Sequence, residues 1–307
     1  MTDYAALIDE ATWAFIRATE AAYPVDTASL SIAEQRALYD RMCRTFFQGY
    51  PAGVTATDHA IAGVACRSYP GTGPSLIYLH GGGFVVGGLN SHDDVCAEIR
   101  AATGLAVVSV DYRLSPEHRH PAAFDDTLAV TRHLAAQGPV LLAGDSAGAN
   151  LAAATAHALR AEGIRPLGQI LIYPGLGGDM DKGSYITHAA APMLTRNDII
   201  FYRDIRLGAL PPEGDPTFAP LQDTNFADLP PTVTFGAECD PLCDDAAEYA
   251  SALIRAAGRA RFFLEPGLVH GYMRARATVP RAAASFARIT TAIAALARGE
   301  WPYGDLT

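Results

Sequence analysis

From residue 76 onward, short runs of almost unbroken apolar residues alternate with longer stretches in which apolar positions recur every three or four residues. The short runs are 76–79 (LIYL), 106–110 (AVVSV), 140–143 (VLLA), 168–173 (GQILIY), 232–235 (TVTF) and 261–264 (RFFL). Runs so short and so uniformly apolar are strands covered on both faces. The stretches near 91–103, 121–137, 147–162, 244–257 and 280–297 supply the amphipathic helices that cover them. The pattern predicts an α/β fold with a mostly parallel central sheet flanked by helices.

Two helical patterns precede this alternation. Residues 3–22 keep helical spacing until Pro24 closes them, and 31–47 open with Ser31 and Glu34 in capping-box register. Between about 54 and 69 the rhythm is short and β-like, broken by Gly63, which predicts a hairpin or a pair of edge strands. The alternation fails over 175–230, where Gly, Pro and Asp clusters surround one helical piece at about 195–207. So long a connection is functional or disordered, and we read it as an insertion over the carboxyl ends of the strands. The expected organisation is N-terminal cap helices over 1–50, a first core part over 51–178, a cap insertion over 179–222 and a second core part over 223–307.

Composition narrows the classes. Half of the 307 residues are hydrophobic, which is enough for a large core, and the formal net charge is −10. That charge repels phosphate backbones and anionic lipid, so neither nucleic acid nor a membrane surface is an expected partner. The five cysteines (Cys43, Cys66, Cys96, Cys239, Cys243) are scattered without CxxC spacing, against a disulfide framework or a structural zinc site. No basic segment followed by an apolar stretch opens the chain, and no apolar run reaches about 18 residues. The expectation is a soluble cytoplasmic protein with no metal and no cofactor. A free edge on the final strand would allow a homodimer.

The sharpest chemical signal is Gly144-Asp145-Ser146-Ala147-Gly148, between the run VLLA and an alanine-rich helix. A Gly-x-Ser-x-Gly pentapeptide arises by composition in roughly one chain in ten of this length, so its context decides the reading. Between a strand and a helix it forces a tight turn that leaves the serine exposed at the top of the sheet, beside free N–H groups at a helix start. Ser146 is the candidate nucleophile. His80-Gly81-Gly82-Gly83-Phe84 follows the run LIYL, and its bare backbone can bring N–H groups close to a substrate oxygen. Ala147, the residue after the nucleophile, can add another.

A serine nucleophile needs a base and an orienting acid, here in the chain order Ser, acid, His. His270 lies in a loop between the last strand and the final helix, and Asp240 lies just past the run TVTF. Asp244 and Asp245 are alternatives for the acid but look like first-turn helix charges. His188 falls in the insertion and His157 inside a helix, so both read as structural, while His118 and His120 violate the chain order.

These segments resemble the hormone-sensitive-lipase family of bacterial esterases, the branch with a GDSAG elbow. The match runs from about residue 76 to 272 through HGGGF at 80–84, DYRLSPEHRHPAA at 111–123, GDSAGAN at 144–150, YP at 173–174, DPL at 240–242 and HGY at 270–272. Ala149 and Cys243 depart from the residues common there, a third glycine and an arginine. The resemblance implies an α/β-hydrolase fold with a helical cap and a metal-free carboxylesterase acting on short acyl esters. By position it implies a triad of Ser146, Asp240 and His270, oxyanion N–H groups from Gly82, Gly83 and Ala147, and supporting roles for His80, Asp111, Arg113 and Glu117. Phe84, Met193, Phe201 and Tyr202 are candidates for the substrate pocket, with Tyr4, Trp13 and Phe15 as further cap residues. Two rivals share the architecture: an arylformamidase or other amide hydrolase with the same triad, and a ligand-binding receptor that lacks the catalytic histidine.

Overall fold

The N-terminal pattern resolves into two helices where the sequence predicts one, α1 (Tyr4–Leu7) and α2 (Glu10–Ala22). Asp9 makes the break. Its carboxylate accepts the Thr12 N–H at 2.8 Å as an N-cap and pairs with Arg281 at 3.0 Å, and apolar spacing carries no trace of either bond. The computed structural model describes residues 2–24, 29–208, 212 and 214–304, and the parts of the expected 1–50, 179–222 and 223–307 segments that fall elsewhere lie outside the described residues.

Helix α3 (Ile32–Phe46) starts at the predicted capping box, with Ser31 and Glu34 each accepting the other's N–H. Strands β1 (Thr57–Ile61) and β2 (Val64–Tyr69) form the predicted hairpin. Its two-residue turn, Ala62-Gly63, holds φ at +51° and +84°, the double positive pair that matches the twist of the flanking strands.

The alternation follows as β3 (Thr72–Leu79), α4 (Asp93–Thr103), β4 (Leu105–Val110), α5 (Ala122–Ala135), β5 (Val140–Asp145), α6 (Ala147–Ala161) and β6 (Gln169–Ile172). Next come α7 (Ser184–Thr187) and α8 (Arg196–Leu207), with no strand among the described residues from 173 to 231. The chain then returns to β7 (Thr232–Cys239), α9 (Cys243–Arg255), β8 (Ala260–Val269) and α10 (Pro280–Ala297).

Among the described residues eight strands form one sheet in the order β1-β2-β4-β3-β5-β6-β7-β8, parallel from β4 to β8 and antiparallel over β1, β2 and β4. Side chains of a strand alternate between two cores. In β3, Leu76 and Tyr78 join the layer formed with α4 and α10, while Ile77 and Leu79 join the layer formed with α5, α6 and α9. Each fully buried aliphatic side chain stabilises the fold by about 1.5–3 kcal/mol, which explains why these strands are apolar on both faces.

The sheet order also fixes the site. From β3 the chain crosses to β4 on one side, and from β5 it crosses to β6 on the other. A crevice therefore opens at the carboxyl ends of β3 and β5. Tyr39, Met42 and Cys43 of α3 pack there on Val85 and Val86, with Tyr202 and Ile205 of α8 against them. Arg36 adds bonds to the carbonyls of Val85 (2.8 Å) and Ser115 (3.0 Å) and an ion pair with Glu117 (2.6 Å). Among the described residues no helix is long and apolar enough to cross a membrane.

Candidate active site

Ser146 occupies the turn between β5 and α6 with φ +53° and ψ −118°, a conformation rarely adopted by a residue with a Cβ. Its surroundings hold it there. The Ser146 N–H donates to the Ile172 carbonyl at 2.9 Å, and the helix behind it packs hard on the end of β3. A Cβ at Gly148 would stand 1.9 Å from the Leu79 carbonyl oxygen, so only glycine permits that approach.

The longest strand pairing in the sheet, β7 with β8, delivers the other two residues. Its register runs to Cys239 opposite Val269, so Asp240 and His270 leave adjacent strand ends together. His270 Nδ1 lies 2.7 Å from Asp240 Oδ2, and Nε2 lies 2.9 Å from Ser146 Oγ. Asp240 is fully buried, and its other oxygen accepts the Leu242 N–H at 2.9 Å. A carboxylate can only accept, so it fixes the proton on Nδ1 and leaves Nε2 to accept from the serine hydroxyl. The Tyr173 ring stands edge-on to the imidazole at 4.9 Å and fixes its plane.

The glycine loop after β3 curls over the same point. Gly82 sits at φ +128°, and a Cβ there would lie 2.1 Å from the Val86 carbonyl oxygen. Among the described residues no acceptor meets the N–H groups of Gly82, Gly83 or Ala147, so all three remain free to donate. His80 supports the loop from below. Its ring stacks on Tyr112 at 4.2 Å, and burial pulls its pKa down to about 4, so it is a neutral structural imidazole. Arg113 clasps Asp126 through two nitrogens and its own backbone N–H, which fixes the following loop.

A cavity of about 480 Å³ opens over Ser146 and His270. Phe84, Met193 and Tyr202 line it, as the sequence suggested, but Phe201 does not. Helix α8 turns positions 198, 199, 202, 203 and 206 inward, and residue 201 falls about 100° around the helix from residue 202. Phe201 instead packs edge-on against Tyr202 at 5.5 Å. Tyr4, Trp13 and Phe15 are also absent from the lining: Phe15 meets Phe46 at 5.2 Å, and the Tyr4 hydroxyl meets His188 Nδ1 at 3.2 Å.

Three features escaped the sequence reading. Asp145, merely the variable residue of the elbow motif, is fully buried and accepts the Tyr78 hydroxyl (2.9 Å) and the Gly81 N–H (3.0 Å), with His92 Nε2 at 3.2 Å. Burial alone would push its carboxyl up, but His92, Tyr78 and Arg274 together hold it well below the usual carboxylate range. It thereby ties the elbow to the glycine loop. Asp245, read as a helix charge, is buried and accepts the Leu176 N–H (2.6 Å) and the Tyr185 hydroxyl (3.1 Å), and burial pushes its pKa up to about 7. Its neighbour Asp244 accepts the Ser184 N–H at 2.7 Å. The third feature is a buried arginine, Arg206, on the cavity wall. No sequence pattern marked it.

The remaining histidines stand apart from Ser146, Asp240 and His270. His157 bonds Asp223 (2.6 Å) and Tyr249 (3.0 Å), and His120 lies 3.3 Å from Asp215. All five cysteines are free and buried. Among the described residues no group of three or more His, Cys, Asp or Glu side chains is arranged to hold a metal ion.

Residues 76–274 match the family model described as an alpha/beta hydrolase fold. The chain belongs to that family. Within it the chain falls on the hormone-sensitive-lipase-like branch, among esterases. It is 38% identical over 219 residues to Esterase LipI of Mycobacterium tuberculosis, covering 68% of each chain. It is 34% identical over 213 residues to the ethyl acetate hydrolase of Pseudomonas putida, covering 66% of this chain and 67% of that one. The crystal structure of an esterase from the bacterial hormone-sensitive lipase family superposes with a TM-score of 0.85 at 25% identity, over 96% of this chain and 99% of that one.

Proposed function

We propose that this protein is a carboxylesterase that hydrolyses short-chain acyl esters with Ser146 as nucleophile, His270 as general base and Asp240 as the acid that orients it. The observation that carries the reading is the unbroken bonding run from Ser146 Oγ through both imidazole nitrogens to Asp240, at 2.9 and 2.7 Å. His270 removes the hydroxyl proton as Oγ attacks the ester carbonyl. The developing oxyanion is held by the N–H groups of Gly82, Gly83 and Ala147, donors that need no reorganisation because no acceptor among the described residues competes for them. The imidazolium, steadied by Asp240, returns the proton to the departing alcohol. Water then repeats the sequence on the acyl-enzyme.

A cavity of about 480 Å³ suits a small ester. Helices α2, α3 and α8 and the loop around Met193 would form the cap over it, built from segments 1–50 and 179–222. The buried free thiols support a reducing, cytoplasmic location. Ser146→Ala should lower kcat for p-nitrophenyl acetate by several orders of magnitude, to about 10⁻⁶ of wild type in the limit, with unchanged circular dichroism. It should also abolish labelling by a fluorophosphonate. Hydrolysis by Ser146→Ala at near wild-type rate would refute the reading.

A further inference from the structure

The cavity beside Ser146 is partly walled by arginines, in a protein whose net charge is −10. Arg206, on the inward face of α8, is 4% exposed. Its guanidinium lies 3.6 Å from the centroid of the Phe84 ring and 4.4 Å from that of Phe218. It donates to the Phe218 carbonyl at 3.2 Å and to the Asn150 amide oxygen at 3.4 Å. Among the described residues no carboxylate forms an ion pair with it, and three of its five N–H donors have no acceptor. Burial pulls its pKa down to about 9, so the cation persists at neutral pH although its surroundings disfavour it.

Its position relative to the reacting centre follows from its partners. Asn150 lies one turn along α6 from Ser146, and its N–H donates to the Ser146 carbonyl at 3.1 Å. Side chains one turn apart are separated by roughly 5–6 Å. Phe84 directly follows the glycine loop. The guanidinium therefore lies between Phe84, which follows the glycine loop, and Asn150 of α6, on the wall of the same cavity as Ser146.

The other charged groups on the cavity wall do not neutralise it. Asp145 is saturated by Tyr78, Gly81 and His92, Asp198 is engaged by the Thr195 hydroxyl and N–H, and Glu20 is exposed at the rim. Arg203 pairs with Asp204 at 3.0 Å. Arg274 adds a second cation. It donates to the Tyr39 hydroxyl at 3.2 Å, and among the described residues its Nε has no partner.

We propose that Arg206 is a specificity-determining residue that binds a carboxylate carried by the substrate, so that the favoured esters are half-esters of short dicarboxylic acids. The proposal rests on Ser146 being the nucleophile of the same cavity. A carboxylate would take the free donors in a fork, the geometry a guanidinium matches best, and would pair with a cation that no carboxylate among the described residues contacts, the charge of Asp215 acting on it only from beyond ion-pair distance. The competing role for Arg206 is a clamp between α8 and the core, and a clamp would serve neutral and anionic esters alike.

The test compares monoethyl glutarate with ethyl pentanoate, two esters of similar length that differ in the terminal carboxylate. Arg206→Met should lower kcat/KM for monoethyl glutarate about 10- to 100-fold more than for ethyl pentanoate, the weight of a charge-assisted pair, with the loss mainly in KM. Arg206→Lys should recover part of the difference. Equal losses on the two esters would overturn the proposal. Should Arg206→Met fail to fold, titration calorimetry on Ser146→Ala decides, with monoethyl glutarate expected to bind at least tenfold tighter than ethyl pentanoate. Equal affinities would sink the carboxylate site even with Ser146 intact as nucleophile. Tighter binding of the half-ester, together with full p-nitrophenyl acetate hydrolysis by Ser146→Ala, would keep the site and remove the serine reading instead.

Discussion

Replacing Asp245 with asparagine isolates the free-energy consequence of one buried carboxyl. Asp245 is 1% exposed, and its oxygen Oδ2 accepts the N–H groups of Leu176 and Gly178 and the Tyr185 hydroxyl. Burial dominates over those bonds, and the nearby Glu248 adds to it, so the pKa rises from 3.8 to about 7. The folded protein thus holds a proton that the unfolded chain has released, over the whole range from about pH 4 to pH 7. Stability falls with rising pH wherever the native state binds more protons. The contribution is therefore complete below pH 4, is lost progressively up to pH 7, and stays lost above it. A shift of about three units corresponds to about 4 kcal/mol as an upper bound, at 1.36 kcal/mol per unit.

Asparagine keeps an oxygen for the same three donors and never ionises. Urea unfolding of Asp245→Asn and wild type should differ by about 1 kcal/mol at pH 4.5 and by up to about 4 kcal/mol in favour of the variant at pH 8.5, with equal m-values. A gap that is the same at both pH values would refute the reasoning, because it would mean that Asp245 does not titrate between them. The same residue bears on the active site, since it fixes Gly178, which lines the cavity.

Two further pairs of substitutions, each a test and its control, probe the packing around the site. Gly148→Ala drives a Cβ into the Leu79 carbonyl, and it should cost about 2–3 kcal/mol in urea unfolding although alanine is the better helix former. Gly138→Ala, with nothing within 4 Å of the new Cβ, should stay within about 0.5 kcal/mol of wild type. Tyr202→Ala removes a ring that lies against Gly83 and lines the cavity. It should shift the hexanoate-to-acetate ratio of kcat/KM for p-nitrophenyl esters by about tenfold, whereas Phe201→Ala should change it less than about threefold. Comparable shifts in the two variants would contradict the inward face assigned to α8.

The division between what the residue pattern reveals and what it hides follows the range of the forces involved. Strands such as LIYL and VLLA announce themselves because burial on both faces demands apolar residues at consecutive positions, and that demand is local. The elbow and the glycine loop are legible for a similar reason: backbone that must turn tightly or approach another chain closely requires glycine in place, as Gly82 and Gly148 do. Asp240 and His270 are found by where strands end, because β7 and β8 pair in register and their next residues emerge side by side. Asp145, Asp245 and Arg206 obey no such local rule. Each is a charged residue in a segment whose spacing suits solvent as well as core, and each owes its burial to distant partners, such as Gly81 for Asp145, Leu176 for Asp245 and Asn150 for Arg206, which lie 64, 69 and 56 positions away. The split between α1 and α2 belongs with them, since the Asp9 cap and its pairing with Arg281 leave the apolar period intact. Polar burial is decided by tertiary contacts that compensate the lost hydration, and a pattern of hydrophobicity records the cost of burying such a group but not the distant groups that offset it. The residues it misses are therefore the ones that couple segments: elbow to glycine loop, α9 to the 176–178 turn, and α8 to the helix that carries Ser146.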